Sequence, residues 1–545
     1  IEMSVPIAPP APTADKKAKK IIIHEDKIIE LFSTELIEYP ENIFSIKEID
    51  MKIDHISSNL LKSNIPRFVA IPKTVYVLQP CEAPGEEKSH NLPHYKYSKT
   101  KKSGSYGDVQ LFPTHKVAVK TYKNLDSDEI GLPTDFLKEL GIYKYFSQDA
   151  KSHIPHLYDF TTNTNIQIQL ELGISLHKKL KNRSLPIDTT VKFMFTLLKS
   201  MRNVSSQGII HCDLKPENCI IVNDTIKIID WGLAEIDHTL NQKRGKDTHK
   251  HTISYASPEI LYCQLYGIPR KAYNYKIDIF SLGLMFVSMY TYITLFKEQI
   301  VELQLEKIIR TFTDIDNPSK DEVKRLIHHG KSNFETTKKF LMKLTRNSIP
   351  MPEDMADTIA HMLEINQEHR WSYDDLILSP MFQHINRVSI PKPRQFYNSM
   401  PVIDDIYDVW KPADRKTTLE NLKNISFCNE LGLAVLCSAI QLLDLYTILN
   451  KDLLQYTNVD IACLNIAMKL FSTDKDLSIE QEDVFTIVEA EKSILSTLRG
   501  AILIPSLYSY VARHGIPNYE KVFKKYLKRG IYKKPFSDIE ISKLI

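Results

Sequence analysis

The stretch that decides the fold is HCDLKPEN at residues 211–218, followed shortly by DWG at 230–232. Upstream lie SGSYG at 103–107 and VAVK at 117–120. A glycine-containing hairpin lets backbone N–H groups approach phosphates, and a lysine on the next strand can reach them. Alone, these two stretches would also suit an ordinary hairpin. The downstream aspartates, asparagine and lysine add groups that bind metal ions and neutralise phosphate, and so favour phosphate chemistry.

In this order the motifs resemble the signature of eukaryotic protein kinases, with Ser257-Pro258-Glu259 at the end of the activation segment. The resemblance covers residues 96–385 and implies an α+β bilobal protein-kinase fold that uses ATP and Mg²⁺ and acts on protein substrates. The residues it implies to be catalytic are Asp213, Lys215, Lys120 and Glu139, and those for the metal are Asn218 and Asp230. The residues it implies to surround ATP are Gly104, Ser105, Tyr106, Gly107, Val109, Ala118, Lys120, Leu170, Glu171 and Leu172.

The resemblance also assigns individual roles. Asp213 would be the catalytic base, and Lys215 would neutralise the γ-phosphate and point to Ser/Thr rather than Tyr specificity. Glu139, on a predicted helix, would form an ion pair with Lys120. Leu170 would be the gatekeeper, next to a hinge that meets adenine. The implied function is therefore a Ser/Thr protein kinase.

Residues 131–139, GLPTDFLKE, resemble the signature helix of cyclin-dependent kinases. Family members that depend on activation-loop phosphorylation hold the phosphate with three arginines, and those positions here are Lys138, Cys212 and Glu235. One lysine and one acid cannot replace three guanidinium groups. We therefore expect activity without activation-loop phosphorylation, although Thr248 is the nearest candidate phosphosite.

Ser105 and Tyr106 occupy the positions of the family's inhibitory phosphosites. A phosphate there would add negative charge beside the phosphates of ATP. The alternative is that an aromatic loop tip merely shields the site from water. Both positions are thus regulatory candidates as well as nucleotide-binding ones.

Residues 416–545 are strongly helical and resemble a cyclin box, with an unrelated helical bundle as the alternative. In cyclins, a Lys and a Glu that match Lys469 and Glu491 bind backbone groups at the kinase signature helix. The resemblance thus implies an all-α cyclin-like domain that activates the kinase domain in the same chain. A fusion of this kind would suit the compact genome of a large virus.

The remaining segments carry less information. Residues 1–20 read as a disordered tail, 21–95 as an extension of unknown role, and 386–415 as a linker. Residues 279–296 are uncharged and long enough for a membrane span, but within the kinase resemblance they match the buried central helix of the second lobe.

Composition agrees with a soluble globular protein, because 43% of the 545 residues are hydrophobic and 25% are charged. A net charge of +3 predicts no nucleic-acid partner, and no membrane partner is expected. Seven cysteines without a Cys-x-x-Cys pair favour a reducing, intracellular compartment, cytoplasmic or nuclear, and make a disulfide framework or a zinc site unexpected.

Two alternatives to a self-activated kinase stay open. The chain could be a pseudokinase scaffold, although pseudokinases usually lose a metal-binding Asp or the strand Lys, and both are present here. It could instead be an active kinase whose C-terminal helices dock other proteins.

Overall fold

In the computed structural model, the chain forms two compact units, 1–80 and 81–545. In the first unit, strand β1 (Val69–Ile71) pairs antiparallel with β2 (Thr74–Tyr76). The residues that the structure describes are 69–71, 74–76, 101–103, 107–122, 130–146, 153–162, 165–236, 252–266, 274–316, 318–385, 412–429, 431–450, 458–471, 477 and 484–503. Outside them lie the predicted tail 1–20, nearly all of 21–95 and of the linker 386–415, and the positions Gly104, Ser105, Tyr106 and Thr248.

Among the described residues of the second unit, five strands form an antiparallel sheet: β3 (Lys101–Ser103), β4 (Gly107–Phe112), β5 (Val117–Tyr122), β6 (Leu157–Thr161) and β7 (Gln167–Glu171). Their order in the sheet is β3-β4-β5-β7-β6. Because side chains alternate along a strand, Val117 and Val119 share one face of β5 and bury themselves with Phe112. Helix α1 (Thr134–Phe146) lies between β5 and β6 in the chain, and its Phe136 meets Tyr122 edge to face with ring centroids 5.2 Å apart.

The next part is mainly helical. Its helices are α2 (Leu176–Lys181), α3 (Ile187–Ser206), α4 (Pro258–Tyr266), α5 (Lys276–Thr291), α6 (Val301–Thr313), α7 (Lys320–His329), α8 (Phe334–Leu341), α9 (Glu353–Met362) and α10 (Tyr373–Ile377). Short strands accompany them: β8 (Ile174–Ser175), β9 (Ile209–Ile210), β10 (Cys219–Val222), β11 (Thr225–Ile228), β12 (Glu235–Ile236), β13 (Thr345–Arg346) and β14 (Ile349–Pro350).

Helix α5 is the core of this part, because every residue from Ile277 to Thr291 is buried. The helix stops before the end of the uncharged stretch 279–296. Tyr292 adopts a left-handed conformation with φ of 63°, and its N–H donates to Ser288 O, which closes the last turn. Among the residues that the structure describes, no helix combines the length and the apolar character needed to cross a bilayer.

A buried ion pair ties the helices together. The guanidinium of Arg370 meets Glu259 of α4 through two hydrogen bonds of 2.5 and 2.8 Å, and its Nε donates to Glu364 O at 2.7 Å. Both side chains are almost completely buried. Because a buried charge is very unfavourable without its partner, the pair constrains how α4 packs.

The described residues from 412 to 503 contain four further helices. They are α11 (Pro412–Cys428), α12 (Leu433–Leu449), α13 (Val459–Leu470) and α14 (Val484–Thr497). Helix α11 begins at Pro412, before the predicted domain start at 416, and a proline suits the first turn of a helix because its N–H is not needed there. Helix α12 is apolar on nearly all sides and packs on α13, which in turn packs on α14 and on α1.

The buried pair leads to a stability prediction. Glu259→Ala leaves the Arg370 guanidinium buried without its carboxylate, and should destabilise the protein by about 3–5 kcal/mol. Glu298→Ala removes the same group from a more exposed pair with Lys307 and should cost less than about 1 kcal/mol. Urea unfolding of the two variants compares these effects, and equal shifts in the midpoint would contradict the role given to the buried pair.

Candidate active site

Lys120 lies in the middle of the sheet and contacts two carboxylates. On β5 it is paired with Val109 of β4 and Ile168 of β7. Its ammonium group forms ion pairs with Glu139 of α1 and, at 2.7 Å, with Oδ1 of Asp230. The sheet, the helix and the segment after β11 are thus joined at one cation.

At this junction Lys120 and Asp230 stabilise each other's charged form, although burial raises the pKa of Glu139. Burial alone would lower the pKa of Lys120, but the charges of Asp230 and Glu139 outweigh burial and raise that pKa. Burial alone would raise the pKa of Asp230, yet Lys120 prevails and lowers it to about 2. Near neutral pH the lysine is therefore cationic and the aspartate anionic, as binding of phosphate and metal requires.

The loop between β9 and β10 brings together three of the predicted residues and one threonine. Lys215 Nζ donates to Asp213 Oδ2 and to Thr252 Oγ1, both at 2.6 Å. The Thr252 N–H donates to Asp213 Oδ1 at 3.1 Å. Asn218 Nδ2 donates to the backbone oxygen of Asp213 at 2.9 Å and to its Oδ2 at 3.2 Å. These bonds hold the Asp213 carboxylate, which is largely buried, in one orientation.

Asp278 of α5 anchors the same loop from the helical core. Its carboxylate accepts the N–H groups of His211 at 2.7 Å and of Cys212 at 3.0 Å. These bonds hold Cys212 at a φ of 68°, a backbone conformation that side chains disfavour. The His211 ring packs on Trp231 with centroids 4.5 Å apart, and its Nε2 lies 3.1 Å from Ile229 O. Burial lowers the pKa of His211, so the ring is neutral at physiological pH.

The two predicted metal-binding residues are neighbours through the backbone. The Ile229 N–H donates to Asn218 O at 2.9 Å, which places Asn218 beside the residue that precedes Asp230. Because the amide nitrogen of Asn218 donates to Asp213, its amide oxygen would be the metal-binding atom. Mg²⁺ in phosphoryl-transfer sites typically takes one or two protein oxygens and completes its shell with phosphates and water. The donor set fits that ion, and in the described part of the chain no cluster of three or more His, Cys, Asp or Glu offers a self-sufficient cage.

One face of the sheet carries the predicted nucleotide-contacting side chains. Val109 pairs with Lys120, and Ala118 pairs with Leu170. Since residues two apart on a strand share a face, Val109, Ala118, Lys120 and Leu170 all lie on the same side of the sheet. An apolar surface beside a cation suits a purine base with its phosphates.

The predicted hinge uses part of its backbone internally. The Glu171 N–H donates to His156 O at 3.0 Å, and the Leu172 N–H donates to Lys116 O at 2.9 Å. A contact between adenine and Leu172 would therefore use the carbonyl of Leu172. Among the predicted loop residues described, Gly107 begins β4 opposite Tyr122, and a Cβ at this position would collide with Thr121 O.

The turn that leads into α1 is held by α13 and α14. Lys469 Nζ donates to Ile130 O at 2.5 Å and to Leu132 O at 2.6 Å. Glu491 Oε2 accepts the Leu132 N–H at 2.6 Å. Asn465 Nδ2 donates to Ile130 O at 3.0 Å and to Glu491 Oε1 at 2.8 Å. We refer to Asn465, Lys469 and Glu491 as the helix clasp.

Small residues allow this close approach. Gly131 has a φ of 89°, and a Cβ there would collide with the carboxylate of Glu491. Further along α1, Gly141 lies against Leu470, Ile502 and Leu503, where a Cβ would be 3.4 to 3.6 Å from their side chains. The helix clasp therefore binds the turn before α1, and apolar side chains pack against the middle of the helix.

Sequence reasoning missed two residues near these sites. The Tyr143 hydroxyl accepts the N–H of Asp230 at 3.1 Å, but a tyrosine in the sequence of a helix gives no sign of a distant backbone partner. Asn465 lies four residues before Lys469, which puts both on one helical face. The sequence could therefore have indicated a role for Asn465, because it is a polar side chain on the same face as Lys469 in an otherwise apolar helix.

Comparison with known proteins gives a family assignment. A family model described as the protein kinase domain matches residues 97–382. Similar relatives include human mitogen-activated protein kinase 12, at 26% identity over 257 residues, covering 46% of this chain and 65% of the relative. Probable cyclin-dependent kinase 8 of Dictyostelium discoideum is 26% identical over 339 residues, covering 56% and 84% of the two chains. Cell division control protein 2 homolog C of Antirrhinum majus is 28% identical over 250 residues, covering 42% and 77%.

The chain thus spans slightly less than two thirds of the human relative and a larger share of the other two. The family match, by contrast, extends over more than half of this chain. Its limits enclose the five-stranded sheet from β3 onward and the helical part as far as α10. The chain therefore belongs to the protein kinase family.

Proposed function

We propose that this chain is an active Ser/Thr protein kinase of the cyclin-dependent-kinase type, which transfers the γ-phosphoryl group of ATP to hydroxyl groups of proteins. The observation that carries the proposal is the bonding of Lys215 to both Asp213 and Thr252, beside Asp230 and Lys120. These are the groups that phosphoryl transfer needs, and they are all present with compatible charges. That completeness argues against the pseudokinase alternative.

In this proposal each group has one task. The carboxylate of Asp213 orients the substrate hydroxyl and takes its proton as the oxygen bonds to the γ-phosphorus and the bond to ADP breaks. Lys215 neutralises charge on the transferred group, while Lys120 binds the α- and β-phosphates. Asn218 and Asp230 would hold Mg²⁺, which supplies neutralisation of the phosphate charge.

We further propose that residues 416–545 act as a cyclin-like activator in cis. Support comes from the helix clasp, which bonds both backbone oxygens and an N–H at the entrance to α1. Because α1 carries Glu139, its position decides whether Lys120 has its partner. Covalent attachment would also raise the local concentration of the activator to about millimolar, so assembly would be favoured in the single chain.

We also propose that the kinase needs no phosphate on its activation segment. The three positions where relatives would hold that phosphate with arginines are Lys138, Cys212 and Glu235, and all three are buried. The acid at 235 would repel a phosphate, and the cysteine offers it no charge. In this proposal the activation segment does not regulate the kinase by phosphorylation, and α1 would be positioned by its contacts with the C-terminal helices instead.

The main experiment measures transfer of labelled phosphate from ATP to serine and threonine in a generic protein substrate. Asp213→Asn should lower the rate by a factor on the order of a hundred to ten thousand, because the base is lost. Asp224→Asn makes the same substitution at an exposed turn residue and should change nothing. Equal activity of the Asp213 variant and the wild type, or labelling of tyrosine alone, would contradict the proposal.

The cis activation has its own test. Glu491→Ala removes the acceptor for the Leu132 N–H and for Asn465 Nδ2, both buried contacts, and should reduce kinase activity at least about tenfold. Glu489→Ala makes the same substitution two residues earlier on α14, where the carboxylate forms a partly exposed ion pair with Lys492, and serves as the control. Full activity of the Glu491 variant, with an unchanged melting temperature, would favour C-terminal helices that dock other proteins.

Activation-segment independence is tested at Thr248. Thr248→Ala should retain wild-type activity in the phosphate-transfer assay, because the segment's expected phosphate site lacks three arginines. Mass analysis of the purified protein would show whether Thr248 carries phosphate. Loss of activity in the alanine variant, restored by Thr248→Glu, would overturn this part of the proposal.

A further inference from the structure

We propose that Tyr143 is a positioning residue that sets the backbone of Asp230, so that the inward position of α1 directly organises the metal-binding residue. This inference rests on the proposed role of Asp230 in holding Mg²⁺. Its basis is the hydrogen bond from the Asp230 N–H to the hydroxyl of Tyr143, at 3.1 Å. The Tyr143 side chain touches neither substrate nor metal in this proposal.

The Tyr143 hydroxyl lies in the protein interior, where a polar group without a hydrogen bond is unfavourable. Tyr143 is completely buried. Burial of a hydroxyl is unfavourable unless it is hydrogen-bonded, and phenylalanine would fill the same volume without that requirement. The bond to Asp230 is therefore what the hydroxyl adds at this position.

Tyr143 and Glu139 act on Asp230 from the same helix. They are four residues apart on α1, so both lie on one face, one turn from each other. Glu139 reaches the carboxylate of Asp230 through Lys120, and Tyr143 reaches its backbone directly. Helix, lysine and aspartate thus form a closed ring of contacts.

The backbone of Asp230 needs such support. Its φ is 67°, in the left-handed region that residues with a side chain disfavour. One contact on its carboxylate would still allow the peptide to rotate, whereas a second contact on its N–H fixes the peptide as well. An outward movement of α1 would break both contacts together, so the metal-binding geometry would be lost along with the Lys120–Glu139 pair.

The test compares Tyr143→Phe with Tyr145→Phe, a matched control. Tyr145 lies on the same helix, is buried, and its hydroxyl donates to Gln207 at 3.2 Å, away from Asp230. The full chain is titrated with a fluorescent ADP analogue in MgCl₂ and again in excess EDTA. The measured quantity is the ratio of the two affinities, which reports the contribution of Mg²⁺ rather than catalytic activity.

Tyr143→Phe should lower that ratio about three- to tenfold, the effect of losing one hydrogen bond, and leave the affinity in EDTA unchanged. Tyr145→Phe should leave the ratio at the wild-type value, even if both variants melt at a slightly lower temperature. An unchanged ratio in Tyr143→Phe, or an equal loss of affinity with and without Mg²⁺, would overturn the inference.

Asp230→Asn separates this inference from the function on which it rests. Loss of the Mg²⁺ contribution in Asp230→Asn together with an unchanged ratio in Tyr143→Phe would reject only the positioning role. A Mg²⁺ contribution that survives Asp230→Asn would reject the proposed metal site itself. Loss in Asp230→Asn with a smaller loss in Tyr143→Phe is the pattern that we expect.

Discussion

The active-site region depends on one cation held between two carboxylates. Lys120 comes from the sheet, Glu139 from α1 and Asp230 from the segment after β11, and no two of them are close in the chain. Because only 14% of the lysine side chain is exposed, loss of either carboxylate would weaken the compensation of its charge in a site largely shielded from water. The sheet, α1 and the segment that carries Asp230 must therefore all be in place for the three charged groups to meet. The position of α1 decides whether Glu139 reaches Lys120.

Two sets of contacts position α1, one at the turn before the helix and one near its C-terminal end. The helix clasp holds the turn before the helix, where Gly131 leaves room for the Glu491 carboxylate. Tyr143 then connects the same helix to the backbone of Asp230. These contacts are buried or partly buried hydrogen bonds, which are directional and sensitive to small displacements. A chain with this arrangement has a physical path from its C-terminal helices to the residue proposed to bind Mg²⁺.

Much of the candidate active site could be predicted from the sequence, because its residues lie at characteristic separations along the chain. Asp213, Lys215 and Asn218 lie within one short loop, so their types and separations predict a common site without knowledge of the fold. The buried character of α5 could also be predicted, because the motifs around it place the uncharged stretch inside a kinase domain. The contacts of Tyr143 and Asn465 could not be found in this way. Their partners lie 87 and 335 residues away, and both are backbone atoms, which leave no pattern in the sequence. The cyclin-like nature of the last helices remains a prediction.

Amide hydrogen exchange of residues 130–146, in the full chain of the wild type and of Glu491→Ala, tests most directly whether the helix clasp holds α1 in place. We expect slow exchange at Leu132 and along α1 in the wild type, because the helix clasp protects the turn and anchors the helix. We expect much faster exchange over the same residues in the variant, with α5 unaffected. Equal protection of α1 in both proteins would show that the clasp does not hold the helix in place.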